Sequence, residues 1–150
     1  MRRAIDAIMY RIVYTSAAAQ AFSDAAIEAL LRGARQRNKT LGVTGMLVFH
    51  EGTFLQAIEG ERRAANEIFA RIQEDPRHRD IAVLHRGPGD EPRVFGAWPM
   101  GFADSSGASG ILRGFIRIDA RPRFADLDST RAIELLAACG EDDVLKSANG

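Results

Sequence analysis

The chain has 150 residues, of which 46% are hydrophobic and 27% charged, as in an ordinary globular domain. Its 20 basic and 20 acidic residues cancel, which argues against direct nucleic-acid binding through bulk charge. The single cysteine, Cys139, cannot form an internal disulfide, and no Cys or His cluster has metal-ligand spacing. No apolar run reaches the ~18 residues of a membrane span, so we expect one cytoplasmic domain with no membrane partner.

The first half of the chain predicts a strand, a helix and a hairpin. Residues 9–15 alternate with the period of a strand, which places Tyr14 on one face. Ser23 is a good N-cap for a helix whose apolar residues recur at helical spacing. Two strands, over 46–50 and 53–59, flank a two-residue turn of an acidic residue and glycine, a hairpin signal.

The second half predicts a helix and two more strands. Helical spacing extends over 61–74, and Pro76 disfavours helical backbone at the residue before it. Residues 81–85 form a fourth strand, followed by a loop rich in glycine and proline. Residues 94–102 read as an irregular fifth strand, because Pro99 argues for an edge or a bulge.

The order βαββαββ is that of a ferredoxin-like α+β fold, with both helices on one face of the sheet. We expect residues 9–102 to form this domain and residues 1–8 to form an N-terminal tail. Residues 103–150 then form a glycine- and serine-rich linker and a C-terminal helical extension, which covers the other face. Asp128 or Ser129 can cap its last helix.

Polar residues at apolar positions are the candidates for a site. Gln56 stands at the centre of the predicted third strand, and a tyrosine and a glutamine on the same sheet face, such as Tyr14 and Gln56, can hydrogen-bond. Each also has a plain structural interpretation as a satisfied buried group. Asn38 fits a helix C-cap, and Arg71 with Asp75 fits a solvated i,i+4 pair.

Five segments together resemble the BLUF family of blue-light sensors, which bind FAD in a ferredoxin-like domain. These segments are IVYTS at 12–16, RNKTLGVTGMLVF at 37–49, GTFLQAIEG at 52–60, IFARIQEDPRH at 68–78 and FGAWPM at 95–100. They cover residues 10 to about 102 in the family's order. The resemblance implies a short sensor protein with no attached output domain and no enzymatic activity.

The resemblance also implies a flavin site, for FAD with FMN or riboflavin as alternatives. Arg37 stands where some relatives have asparagine, and its charge suits a phosphate. The implied cofactor-binding positions are Tyr14, Leu30, Arg37, Asn38, Gln56, Arg71, Ile72 and Asp75.

The resemblance implies a light-driven cycle in which Tyr14 donates an electron and Gln56 relays a proton. The hydrogen bonds to the flavin are then rearranged, and its absorption shifts to the red. Trp98 and Met100 on the fifth strand, together with the C-terminal tail, pass the signal to a protein effector in trans. A homo-oligomer is also expected.

Two other functions fit the same fold. One is a regulatory domain that binds a small metabolite, and the other is a small hydrolase similar to acylphosphatase. The hydrolase would need Asn38 and Arg71 to bind an anion, but no glycine-rich anion loop supports that site. Fold alone does not separate the three functions, whereas a bound flavin would.

Overall fold

The computed structural model describes residues 8–89, 91–104 and 124–149. Within these ranges the chain forms five strands and three helices, together with a 3-10 turn at Phe124–Asp126. In chain order they are β1 (Met9–Ala18), α1 (Asp24–Leu41), β2 (Thr44–His50), β3 (Thr53–Glu61), α2 (Arg62–Glu74), β4 (His78–Pro88), β5 (Gly101–Asp104) and α3 (Ser129–Asn149). None of these helices has both the length and the apolar content that a membrane crossing needs.

The strands form one sheet in the order β4-β1-β3-β2-β5. All neighbours are antiparallel except β2 and β5, which are parallel. The first four strands and two helices follow the predicted order, and the ferredoxin-like fold is confirmed. The neighbouring interior strands β1 and β3 can therefore both contribute residues to a site under the helices.

Both faces of the sheet are buried, each under different helices. Tyr14 and Phe54 face α1 and α2 in one core. Val13, Leu55 and Ala57 face the other way and pack with α3 residues, among them Leu135. This explains why β2 and β3 read as nearly continuous apolar runs, since strands covered on both sides have no solvated face. The prediction that a C-terminal helix covers the open face is confirmed.

The helix ends follow local capping rules, with one correction. Ser23 accepts a hydrogen bond from the Ala26 amide at 3.1 Å, as its capping position predicts. Asn38 is not the C-cap of α1. The helix continues to Leu41 and ends at Gly42, whose left-handed backbone (φ 68°) lets its amide reach the last carbonyls. Asn38 is thus a buried residue of the last turn of α1.

Several predicted strand boundaries were wrong, and β1 continues to Ala18 rather than ending at residue 15. The fourth strand is β4 (His78–Pro88) and not only residues 81–85, because it pairs along the whole length of β1. Charged residues in this edge strand, and register shifts in its pairing with β1, obscure the alternation of apolar and polar residues from which a strand is predicted. The fifth strand contains only Gly101–Asp104, and residues 91–100 lie outside any strand. The predicted linker beyond Asp104 and the N-terminal tail up to residue 7 lie outside the described residues.

Candidate functional site

A cleft opens between α1 and α2, above the sheet. It encloses about 470 Å³, counting the part that is open to solvent. Seven of the eight predicted cofactor-binding residues line it, and Tyr14 lies beside it through its contact with Gln56. The seven are Leu30, Arg37, Asn38, Gln56, Arg71, Ile72 and Asp75.

Tyr14 and Gln56 are direct neighbours across the antiparallel pair β1–β3. The Tyr14 hydroxyl donates a hydrogen bond to Gln56 Oε1. On its other side the amide donates from Nε2 to the sulfur of Met100, at 3.4 Å. A thioether is a weak acceptor, so one side of the amide is held firmly and the other loosely.

The Tyr14 phenol is fully buried, with the Phe69 ring 5.4 Å away between centroids. Burial, and to a smaller extent the negative charge of Asp75, raise the pKa of Tyr14 far above its ordinary value. The hydroxyl therefore keeps its proton in the ground state. This is consistent with its role as the donor towards Gln56 Oε1.

The carboxylate of Asp75 is held by Arg77 and not by Arg71. Arg77 donates to both Asp75 oxygens, the shortest contact being 2.7 Å, and its backbone amide adds a third partner. Burial alone would raise the pKa of Asp75, but the hydrogen bonds and charge of Arg77 outweigh it and lower that pKa. Arg71 lies 3.9 Å from Glu67. The plain interpretation of Arg71 and Asp75 as a solvated i,i+4 pair was wrong, because α2 ends at Glu74 and Asp75 has extended backbone.

Trp98 and Met100 point to opposite faces of the sheet. Met100 is buried in the core under α1 and α2, against Gln56. Trp98 packs in the other core, and a Cβ placed on Gly140 of α3 would lie 3.0 Å from its ring. Both residues precede β5, so their predicted place on a fifth strand was wrong. Pro99 between them lacks a backbone donor, and its carbonyl accepts from Asn38 Nδ2 at 2.7 Å.

Sequence reasoning missed Arg77 and His78, which also line the cleft. His78 Nδ1 lies 3.0 Å from the Ser16 hydroxyl. Burial lowers the pKa of His78. The negative charge of Asp75 opposes this shift, and the positive charge of Arg77 adds to it. Both residues belong to the segment IFARIQEDPRH, so the only available signal was that motif. Arg35, whose Nε donates to the Met100 carbonyl at 2.9 Å, had no signal in the sequence.

The family model described as "BLUF: Sensors of blue-light using FAD" matches residues 9–101. The chain belongs to this family of flavin-binding blue-light sensors. Its curated relatives include the photoactivated adenylate cyclase subunit beta of Euglena longa, 32% identical over 95 residues, and subunit alpha of Euglena gracilis, 34% identical over 86 residues. These matches cover 63% and 57% of this chain but only 11% and 8% of the relatives.

Solved structures agree with this assignment. The BLUF protein BlrB in its dark state superposes with a TM-score of 0.75 at 29% identity, covering 89% of this chain and 98% of that one. BlrP1 of Klebsiella pneumoniae, solved with FMN and cyclic diGMP, gives a TM-score of 0.60 at 28% identity over 94% of this chain and 34% of that one. A bacterial light-regulated adenylyl cyclase shares the fold. It is 21% identical, with a TM-score of 0.63, and the match covers 88% of this chain and 40% of that one.

The residues of the cleft fit a flavin. Leu30 on α1 and Ile72 on α2 supply apolar walls for a flat ring. Asn38 and Gln56 carry amides. Beyond the bonds to Pro99, Tyr14 and Met100, each amide keeps one N–H and acceptor capacity for a polar ring edge. Arg37 places a cation in the same cleft, which suits a phosphate. The apolar walls beside these donors suit a flat ring, which the small anion of a hydrolase would not need.

Proposed function

We propose that this chain senses blue light through a photochemical pair formed by Tyr14 and Gln56. The observation that carries the proposal is the continuous hydrogen-bonded row from Tyr14 through Gln56 to Met100 beside the cleft. Tyr14 and Gln56 are both buried and are hydrogen-bonded to each other, and Gln56 also lines the cleft. This arrangement places a proton donor, a two-way relay and a weak acceptor in sequence.

The cofactor is FAD, with FMN or riboflavin as alternatives, held by the eight predicted residues. Bound flavin supplies the absorption of blue light and an electron acceptor. Leu30 and Ile72 exclude water from its faces, while Asn38, Arg71 and Asp75 orient its polar edge. Arg37 is assigned to the phosphate, where its fork of donors pairs with oxygens.

With flavin bound as the electron acceptor, Tyr14 would give up an electron and pass its hydroxyl proton toward Gln56 Oε1, and recombination would return the electron, so that both groups end in their starting oxidation states. Gln56 relays the proton and is left with a changed set of hydrogen bonds, since its amide can both donate and accept. Only the weak acceptor Met100 Sδ holds the Nε2 side, so rearranging that side costs little. A stronger hydrogen bond donated by Gln56 to bound flavin would account for a shift of its absorption to the red.

The signal leaves the domain through Trp98 and Met100 and through α3. We propose that it passes to a protein effector in trans and that the protein works as a cytoplasmic homo-oligomer without nucleic-acid contacts. Relatives whose names describe photoactivated cyclases support a protein effector, although this chain spans only about a tenth of their length. We further propose residues 9–102 as the sensor domain, which itself carries no enzymatic activity.

An absorption spectrum tests the function. The purified chain, loaded with FAD or FMN, should show an oxidised-flavin spectrum that shifts reversibly to the red under blue light. A protein that takes up neither flavin would contradict the proposal and favour a metabolite-binding domain. One that binds flavin but shows no reversible shift would contradict the assigned photochemistry alone.

A further inference from the structure

The segment Val94–Met100, here called the crossover, joins the two cores of the molecule. Phe95 is buried on the α3 side of the sheet, and Met100 is buried on the opposite side against Gln56. The crossover forms no strand, so much of its backbone is hydrogen-bonded to groups outside the strand pairs of the sheet. Near its end the Pro99 carbonyl accepts from Asn38 and the Met100 carbonyl accepts from Arg35.

The start of the crossover is held by one buried carboxylate. Glu59 Oε1 accepts from the Phe95 amide at 2.7 Å, and Oε2 accepts from the Val94 amide at 3.2 Å. Glu59 is 0% exposed, and Arg11 donates to its Oε2 from Nε at 2.8 Å and from Nη2 at 2.6 Å. A buried carboxylate is tolerated where its charge is paired and its oxygens are hydrogen-bonded, as they are here.

Glu59 stands three residues after Gln56 on β3 and faces the other side of the sheet. The same strand therefore holds the start of the crossover on one face and touches its end, at Met100, on the other. Trp98 lies between these two points, and its amide donates to the Phe95 carbonyl at 3.3 Å. A displacement of the backbone at Phe95 would thus be passed on to Trp98 and Met100, which follow it by no more than five residues.

We propose that Glu59 is a positioning residue for the light signal, whose carboxylate holds Val94 and Phe95 and thereby sets Met100 against Gln56 and Trp98 against α3. This inference deepens the proposed function and rests on it for the meaning of the signal. The position of the crossover itself can be measured in the dark, without photochemistry.

The test compares Arg11→Met with the double variant Arg11→Met/Glu59→Met. Both lack the guanidinium, and they differ only in the carboxylate. Replacing a buried ion pair by apolar side chains is often neutral for stability, which favours folding of the double variant. Trp98 is the single tryptophan, so one indole N–H cross-peak in an NMR spectrum and one fluorescence signal report the crossover.

We expect Arg11→Met to keep the indole cross-peak of the unmutated protein. The double variant should shift or split that peak, and the quenching of Trp98 by acrylamide should rise about twofold as the crossover opens locally. Flavin uptake should persist in both, because the cleft residues are unchanged. An unmoved indole signal in the double variant, or an equal displacement in both variants, would overturn the proposal.

Hydrogen exchange in the unmutated protein gives a second test that needs no variant. The Val94 and Phe95 amides should exchange as slowly as the buried amides of β3, and exchange at the rate of unprotected amides would overturn the proposal. If the unmutated chain binds no flavin, the proposed function fails, but the indole and exchange measurements still decide whether Glu59 holds the crossover.

Discussion

At the scale of single residues, the site depends on the side-chain amide of Gln56, which has a different hydrogen-bond partner on each side. Tyr14 donates to Gln56 Oε1, and Gln56 Nε2 donates to Met100 Sδ. At 6% exposure the amide has little water to exchange partners with, so its orientation is set by these two contacts. A glutamine is suited to this position because one head group both donates and accepts.

Replacing Gln56 by leucine tests the relay. We expect the variant to bind flavin, because the apolar walls and Asn38 are unchanged, and to show no light-induced red shift. Absorption spectra before and after blue light measure the outcome. Tyr14→Phe is the matched variant, since it removes only the hydroxyl and should also bind flavin without a photocycle. A normal red shift in Gln56→Leu would remove Gln56 from the mechanism.

At the scale of elements, β2 approaches β3 and the crossover closely at Gly45. Gly45 of β2 donates its amide to the Trp98 carbonyl at 3.1 Å. A Cβ at this position would clash with the Ala57 carbonyl oxygen and would lie 3.2 Å from Met100 Cε. Only glycine fits there, because the first of these neighbours is backbone and cannot turn away.

Gly45→Ala should therefore lower the free energy of unfolding by about 1–3 kcal/mol, the usual cost of overpacking a core. Denaturant titration measures it. Gly33→Ala is the control: in the middle of α1 the new methyl would meet only the flexible end of Arg37 at 3.3 Å. Alanine there should instead stabilise by about 0.5–1 kcal/mol. Equal effects of the two substitutions would contradict this account of β2.

At the scale of the whole molecule, the sheet separates a cleft on one side from α3 on the other. Trp98 packs against α3 at Gly140, whereas Met100 reaches the Gln56 amide, so the crossover connects the two sides. A change in the hydrogen bonds of Gln56 would therefore bias a packed two-state contact at α3. The proposed route of the signal therefore runs from Gln56 through the crossover to α3.

Hydrogen exchange under blue light and in the dark tests this route. We expect backbone amides of α3 and the crossover to lose protection in the light, while those of β1 and β3 stay unchanged. The Gln56→Leu variant serves as the control and should show no difference between light and dark. If α3 in the unmutated protein has identical protection in both conditions, the signal leaves the domain elsewhere.

The sequence by itself determined the order of the elements and the faces of the strands. Period-two alternation grouped Tyr14 with Ile12 and Gln56 with Phe54, each on one face of its own strand, and helical spacing identified the apolar face of each helix, because both patterns are set by local backbone geometry. The motifs then identified the family, and with it seven residues that the structure brings together around the cleft.

Only the tertiary structure decided how the polar residues are paired and where the crossover runs. Asp75 binds Arg77 because α2 stops one residue earlier, and Trp98 and Met100 separate because an irregular segment has no period to extrapolate. Glu59 and Arg11 lie 48 positions apart and pair only because β1 and β3 are neighbours. Such contacts depend on which strands the fold places side by side. Local sequence patterns do not show which residues far apart in the chain become neighbours.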